Sequence, residues 1–200
     1  MAESTATERI VLGSGKLYIS MFNSAEGIPS NAELETEANR AGYIKGGATL
    51  EYKPEFYEAK DDLGYAMKKA LTDEEVIFKS GIMTWNMKKL MALCNTGRKD
   101  ETDSDENVSV YKLGGIGNYD GKRYVVHFHH EDKIDGDLRV TIVGANQAGF
   151  TLSFMKNQET VADAEFKAEP YDNDGTLVIL QESSPTKNTG ANGEDDSGAN

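Results

Sequence analysis

The sequence predicts a mainly β protein, a sandwich or small barrel with one short flanking α-helix near residues 84–95. Three observations carry this: apolar and polar residues alternate in stretch after stretch, Gly, Asp and Asn turns separate the stretches, and helical spacing appears over one segment. So many short segments do not suit a doubly wound α/β fold. The 200 residues, 38% hydrophobic, suffice for one ordinary core with polar arms left over.

Residues 1–9 form a polar N-terminal arm, and the folded body is expected over 10–182. Residues 10–20 read as a strand interrupted at Gly13-Ser14-Gly15. Residues 21–41, with Pro29 and scattered acids, read as a long loop; only Leu34 and two alanines of its 32–38 stretch suit a core, so no stable helix is expected there. Over 42–59 the alternation puts Leu50 and Tyr52 on one face and Thr49, Glu51 and Lys53 on the other, and Pro54 marks an edge or a bulge. A charged turn at 60–64 leads to a strand at 65–70, then to a further strand at 73–81 whose Val76 and Phe78 share a face.

The helix is expected to start at a Thr84 cap, to pack through Trp85, Leu90, Met91, Leu93 and Cys94, to show Lys88 and Lys89 to water, and to stop at Asn95-Thr96-Gly97. About ten residues cannot hold a helix alone, so it must lie on the sheets. Residues 98–106 read as a solvated acidic loop, and strands follow at 107–113, 122–131, 137–144, 148–156, 160–169 and 176–181. Tyr124, Val126 and Phe128 share one face, opposite Arg123, Val125, His127 and His129; Ala148, Phe150, Leu152 and Phe154 form a further apolar face. Residues 183–200, rich in Gly, Asn and Ser, predict a disordered polar tail.

With 34 acids against 21 Lys and Arg, a formal net charge of −13, the surface repels a nucleic-acid backbone. Such a surface suits plain solubility, or a wall that lets DNA pass without holding it. Cys94 is the only cysteine, which excludes an intramolecular disulfide and a Cys-based zinc site, and it reads as a core residue. No secretory leader opens the chain and no window nears the roughly 18 apolar residues of a membrane span, so synthesis in a cytoplasm and no membrane partner are expected.

His127, His129, His130, Glu131 and Asp132 form the one cluster with metal-ligand chemistry, but two strand-face histidines lack a clear third ligand, and a polar strand end explains them better. The acids at 100–106 lack the glycine and the closing glutamate of a calcium loop. No nucleophile turn accompanies the histidines, and Gly114-Gly115-Ile116-Gly117 has no Lys-Ser/Thr pair, so it reads as a hairpin tip. No catalytic residue, cofactor or metal is expected.

Four blocks carry a family resemblance: Leu12-Gly13-Ser14-Gly15-Lys16-Leu17-Tyr18, the stretch Ile44 to Tyr52, Lys79 to Asn86 opening the helix, and Ala168 to Leu177. In order around one short helix, they make residues 9–182 resemble the major tail (tail tube) proteins of long-tailed bacteriophages, Gram-positive-host type. The resemblance implies a structural virion protein without enzyme activity, made in the host cytoplasm. Hexameric rings would join their strands into an inner β-barrel and stack into a hollow tube. The implied partners are further copies, a tape-measure protein, and tail terminator and distal tail proteins, with DNA crossing the lumen without specific binding. On this reading Glu51, Glu55, Glu58, Asp61 and Asp62 are candidate lumen-lining residues, and the segments 1–9, 21–41 and 58–62 are candidates for contacts between rings. Two other readings stay open: a monomeric carbohydrate-binding sandwich using Tyr43, Tyr52, Phe56, Tyr57 and Tyr119, and a small metal-dependent hydrolase around His127, His129 and Glu131.

The composition after residue 183 gives one expected outcome. A chain truncated after Ser183 keeps its cooperative unfolding transition, checked by urea denaturation followed by tryptophan fluorescence.

Overall fold

The computed structural model describes residues 14–63, 67–83, 86–100, 108–134, 136–152, 154–157 and 159–183. In chain order the strands are β1 (Lys16–Met21), β2 (Arg40–Gly42), β3 (Ile44–Lys60), β4 (Met67–Ile82), β5 (Arg98–Asp100), β6 (Val110–Lys112), β7 (Tyr124–His130), β8 (Leu138–Asn146), β9 (Ala162–Ala168) and β10 (Val178–Glu182). All but β5 and β6 belong to one sheet, ordered β2-β1-β7-β8-β9-β4-β3 with β10 also on β8, and the protein is mainly β.

β8 is where the sheet forks. β7 occupies one of its edges from Leu138 to Gly144, while the other edge is shared between β10, along Leu138–Ile142, and β9, which touches only Gly144–Asn146. Two limbs result, β2-β1-β7-β8-β10 and β9-β4-β3. Leu17, Ile19, Val126 and Ile142 of the first limb meet Val76, Phe78 and Phe166 of the second in one core. The alternation of β7 is as its sequence pattern requires, with Val126 in this core and Val125 and His127 on the opposite face.

The helix is shorter than expected. It comprises a four-residue helix, α2 (Met87–Leu90), and a 3-10 turn over Met91–Leu93. Its cap is Asn86 and not Thr84: the Asn86 side chain accepts from the Lys89 amide at 3.3 Å. At its other end the buried Asn146 amide donates to the Leu93 carbonyl at 2.8 Å, a bond that ties the last turn to β8. Thr84 and Trp85 lie outside the described residues. Lys88 is exposed, but Lys89 is partly buried and donates to the Ala38 carbonyl.

Four expectations need correction. Residues 73–81 are not a separate strand: β4 runs unbroken past a bulge at Thr72, where partners shift from Glu55 and Asp73 to Phe56 and Leu71. Among the described residues of 148–156 there is no strand; Phe150 and Leu152 reach the core from irregular chain, while Phe154 is exposed. Residues 98–100 pair with 110–112 as a small ribbon instead of opening a loop. A four-residue helix, α1 (Asn31–Leu34), forms within 21–41, because the Glu33 carboxylate accepts from the Ser30 amide at 2.9 Å and hydroxyl at 2.7 Å and Leu34 is buried. The start at residues 1–13 and the tail beyond 183 lie outside the described residues.

Much of 21–41 is therefore a strap folded back on the sheet. Leu34 is 1% exposed and packs with Val125 and Val143, with Phe22, Ile28 and Tyr171 at the margin, so the β7–β8 pair is covered on both faces.

The fork rests on close backbone approach. A Cβ at Gly144 would lie 1.9 Å from the Lys167 carbonyl oxygen, an obstacle no side-chain movement relieves. Gly144→Ala should cost at least about 2 kcal/mol of unfolding free energy, measured by urea denaturation.

Candidate functional site

Two regions carry chemistry that folding alone does not require. The first is the far end of the β3–β4 hairpin. Every residue from Tyr52 to Lys60 and from Met67 to Glu74 is exposed, although the ladder continues from Tyr52–Val76 out to Lys60–Met67. The hairpin leaves the body as a two-stranded arm bare on both faces.

Its two faces differ. Leu50, Tyr52, Phe56 and Glu58 continue the core side of the sheet, opposite Phe78, Val76, Leu71 and Lys69. Beyond the body this side shows an uncovered apolar stripe of Tyr52, Phe56, Leu71 and Met67, with Phe56 50% exposed and Met67 66% exposed. The Lys69 ammonium stands 4.3 Å from the Phe56 ring centre and 3.4 Å from Glu58. The opposite face is charged. Glu51 pairs with Lys53 at 3.0 Å and reaches Lys79 at 3.8 Å, Lys79 pairs with Glu165 at 3.2 Å, and Lys167 with Glu75 at 2.8 Å.

The five acids singled out above thus do not share a face. Glu51 and Glu55 lie on the charged side, Glu58 on the apolar side with Lys60 and Lys69, and Asp61 and Asp62 in the exposed turn at the tip. Of the helix residues, Leu90 and Leu93 are buried in the core, and Met91 and Cys94 are half-buried. The aromatic residues considered for sugar stacking are exposed but scattered: Tyr52 and Phe56 on one side of the arm, Tyr57 on the other, Tyr43 against Arg40, and Tyr119 beyond a 3-10 turn.

The second region lies under the strap. His127, which is fully buried, meets Thr141 Oγ1 at 2.8 Å through Nδ1 and Glu35 Oε1 at 3.2 Å through Nε2. His129 lies 3.0 Å from Glu35 through Nδ1 and 3.1 Å from Asp137 through Nε2. Both nitrogens are off the line of a hydrogen bond, so that attraction is coulombic and not directional. Arg139 completes the group, donating from Nε to Glu35 at 2.5 Å and contacting Asp137 at 3.2 Å. Glu131 pairs with Lys16 and stands 4.0 Å from His129 Nδ1 through the same oxygen. Among the described residues, no group of three His, Cys, Asp or Glu side chains is placed to hold a metal ion.

Burial pushes the His127 imidazole below its usual range, against the pull of Glu35. Burial also pushes Glu35 upward, but its hydrogen bonds with Arg139 and His127 and the nearby His129 outweigh this and hold it below the usual carboxylate range. Asp137 is likewise held low, with the nearby His129 ring and the hydrogen bond from the Asp132 amide overcoming burial.

No family model matches this sequence, and no curated protein matches it. Among solved structures, the cryo-EM structure of the anti-feeding prophage cap (AFP tube terminating cap) is similar, with a TM-score of 0.44 and 10% identity over 92% of this chain and 100% of that one. A likeness of that degree does not carry a function across. Among the described residues no helix is long and apolar enough to cross a membrane.

Sequence reasoning missed Glu35 and the apolar stripe. The strap's capping pair, Ser30 and Glu33, was the available sign that residues after Pro29 turn back onto the fold. The stripe was visible as Tyr52 and Phe56 at even spacing past Pro54, but a strand pattern does not tell whether its apolar side is covered.

The polar group predicts a pH dependence. His127 lies below its ordinary 6.5 in the fold, so the unfolded chain takes the proton more readily; its contribution is present above about pH 6.5 and is lost as the pH falls through the folded value. Glu35, held below its ordinary 4.5, acts in the same direction at lower pH. Urea denaturation should show stability falling from pH 7 to pH 5, with a shallower fall in His127→Gln. At pH 7, Glu35→Ala should cost about 2 kcal/mol by stranding Arg139 and His127, while Glu37→Ala, at a highly exposed side chain, stays within about 0.5 kcal/mol.

Proposed function

We propose that this chain is a structural subunit of a phage-type tail tube, assembling as stacked hexameric rings around a lumen through which DNA passes. The single observation that carries the reading is the arm. A two-stranded ribbon bare on both faces is at best marginally stable in water, and it gains stability from further strands and from cover over its apolar side. A neighbouring copy offers both. Among the described residues β3 is an edge strand whose outer edge is open along the arm, so a strand of the next copy can continue the sheet. The stripe of Tyr52, Phe56, Leu71 and Met67 would then rest on that neighbour's body.

Repeated head to tail, such a contact closes into a ring or climbs as a helix. A ring closed in this way joins every copy's sheet into one barrel wall. The blocks that resemble tail tube proteins include the start of β3, the end of β4 and the loop after β9, which are the parts that root the arm. Tape-measure, terminator and distal tail proteins are the partners this role requires, and the virion tail is its place.

The charged side of the hairpin and β9 would line the lumen. Glu51, Glu55, Asp73, Glu75, Asp163 and Glu165 outnumber Lys45, Lys53, Lys68, Lys79 and Lys167 there, and Lys45, Lys53, Lys79 and Lys167 each have an acid at hand. A phosphate backbone would find few unpaired cations on such a wall. Asp61 and Asp62 would stand at its rim, and Glu58 would face away from it.

The test is a pair of substitutions on the stripe. Concentrated protein should form rings or hollow tubes in negative stain. Phe56→Asp with Leu71→Asp should abolish them and leave monomer stability within about 0.5 kcal/mol, because both residues are exposed in the isolated chain. Wild-type protein that stays monomeric with its assembly partners, or a double variant that still forms tubes, would sink the reading.

A further inference from the structure

The group under the strap has a charge balance that depends on protons. From the strap comes Glu35; from β1, Lys16 and Tyr18; from β7 and the turn after it, His127, His129 and Glu131; from β8 and its approach, Asp137, Arg139 and Thr141. β10 adds the neutral Gln181, bonded to Asn31 of α1, and Arg40 of β2 is paired with Glu37 farther out. With both histidines neutral, three carboxylates (Glu35, Glu131, Asp137) face two cations (Lys16, Arg139), one positive charge short of balance.

Geometry says where one added proton belongs. The ring of His129 stands between carboxylate oxygens, 3.0 Å away on its Nδ1 side and 3.1 Å on its Nε2 side, so a positive charge on it is stabilised by two anions at once. His127 is satisfied when neutral: Nε2–H donates to Glu35, and Nδ1 accepts from the Thr141 hydroxyl. A second proton on His127 would strip that acceptor and set a cation beside Arg139 and the charged His129 in a buried place.

We propose that His127, His129 and Glu35 form a one-proton latch: the strap at 22–39 is held when His129 is charged and His127 neutral, and it opens when a second proton enters or the first leaves. Glu35 is the strap's own member of the group, so weakening its partners frees the strap and leaves the β-ladders intact. Opening bares Val125 and Val143, which Leu34, Phe22 and Ile28 cover in the closed form. The inference is independent of the assembly reading and concerns the isolated chain.

Two measurements on the full chain test it. Nitrogen-15 NMR of the imidazoles near pH 6.5 should show both His129 ring nitrogens protonated and His127 protonated only at Nε2. Hydrogen exchange at the Leu34 and Glu35 amides, which bond to the Ser30 and Asn31 carbonyls, should show protection highest near that pH. Corrected for intrinsic rates, protection should fall on the order of tenfold on both the acid and the alkaline side, the equivalent of one pK unit of lost coupling. His127→Asn should remove the acid fall and His129→Asn the alkaline one. Protection that stays flat from pH 5 to 8.5 in wild-type protein, or ring nitrogens with the opposite assignment, would overturn the latch even if a variant failed to fold.

Discussion

The arm of the β3–β4 hairpin has a complete ladder and no cover, and the rest of the molecule is arranged around that imbalance. The inner end of the same two strands is core: Val76 and Phe78 pack with Phe166, and Lys79 and Ile77 are held by cross-strand partners on β9. Beyond the Ile77–Lys167 pair β9 no longer pairs with β4, and the ladder continues as two strands. Stiffness therefore comes from the root. Because β9 joins the first limb only through the end of β8, the close approach at Gly144 fixes the direction in which the arm leaves the body.

The opposite limb is closed. A sheet face with Val125 and Val143 on it would be a second sticky surface, and the strap removes it with Leu34. The covering segment is too short and polar to stay by hydrophobic burial alone, since Leu34 is its one fully buried apolar side chain. Glu35 supplies the rest by standing within reach of two histidines and an arginine. The protein thus leaves one apolar surface open on the arm and shuts another by electrostatics.

Legibility in the sequence followed the range of the interactions. Strand faces were readable because alternation is local: Tyr124, Val126 and Phe128 lie on the core side as the pattern demands. Leu50 and Tyr52 likewise share a side opposite Glu51 and Lys53. The bulge at Thr72 was not readable, since it depends on the count of residues in the facing strand. Residues 148–156 alternate well, yet their described part holds no strand: Asn146 uses its side chain to bond the Gly149 carbonyl and the Glu165 amide where a strand would have continued. Glu35 is 92 residues from His127, and nothing in a loop of scattered acids marks which one turns inward.

Pro54 bears on why an open arm need not aggregate at random. Proline has no N–H, so it fits a continuous ladder only with its nitrogen turned away from the partner strand. Pro54 pairs with Glu74 in such a ladder, which puts the missing donor on the outer edge of β3. A strand approaching that edge finds every outward amide but this one. Registers that need a donor there lose a bond in a partly desolvated place, and those that place a bulge or a chain end opposite Pro54 lose nothing. An edge that offers strand pairing in some alignments and penalises others narrows the set of strands that can dock on it.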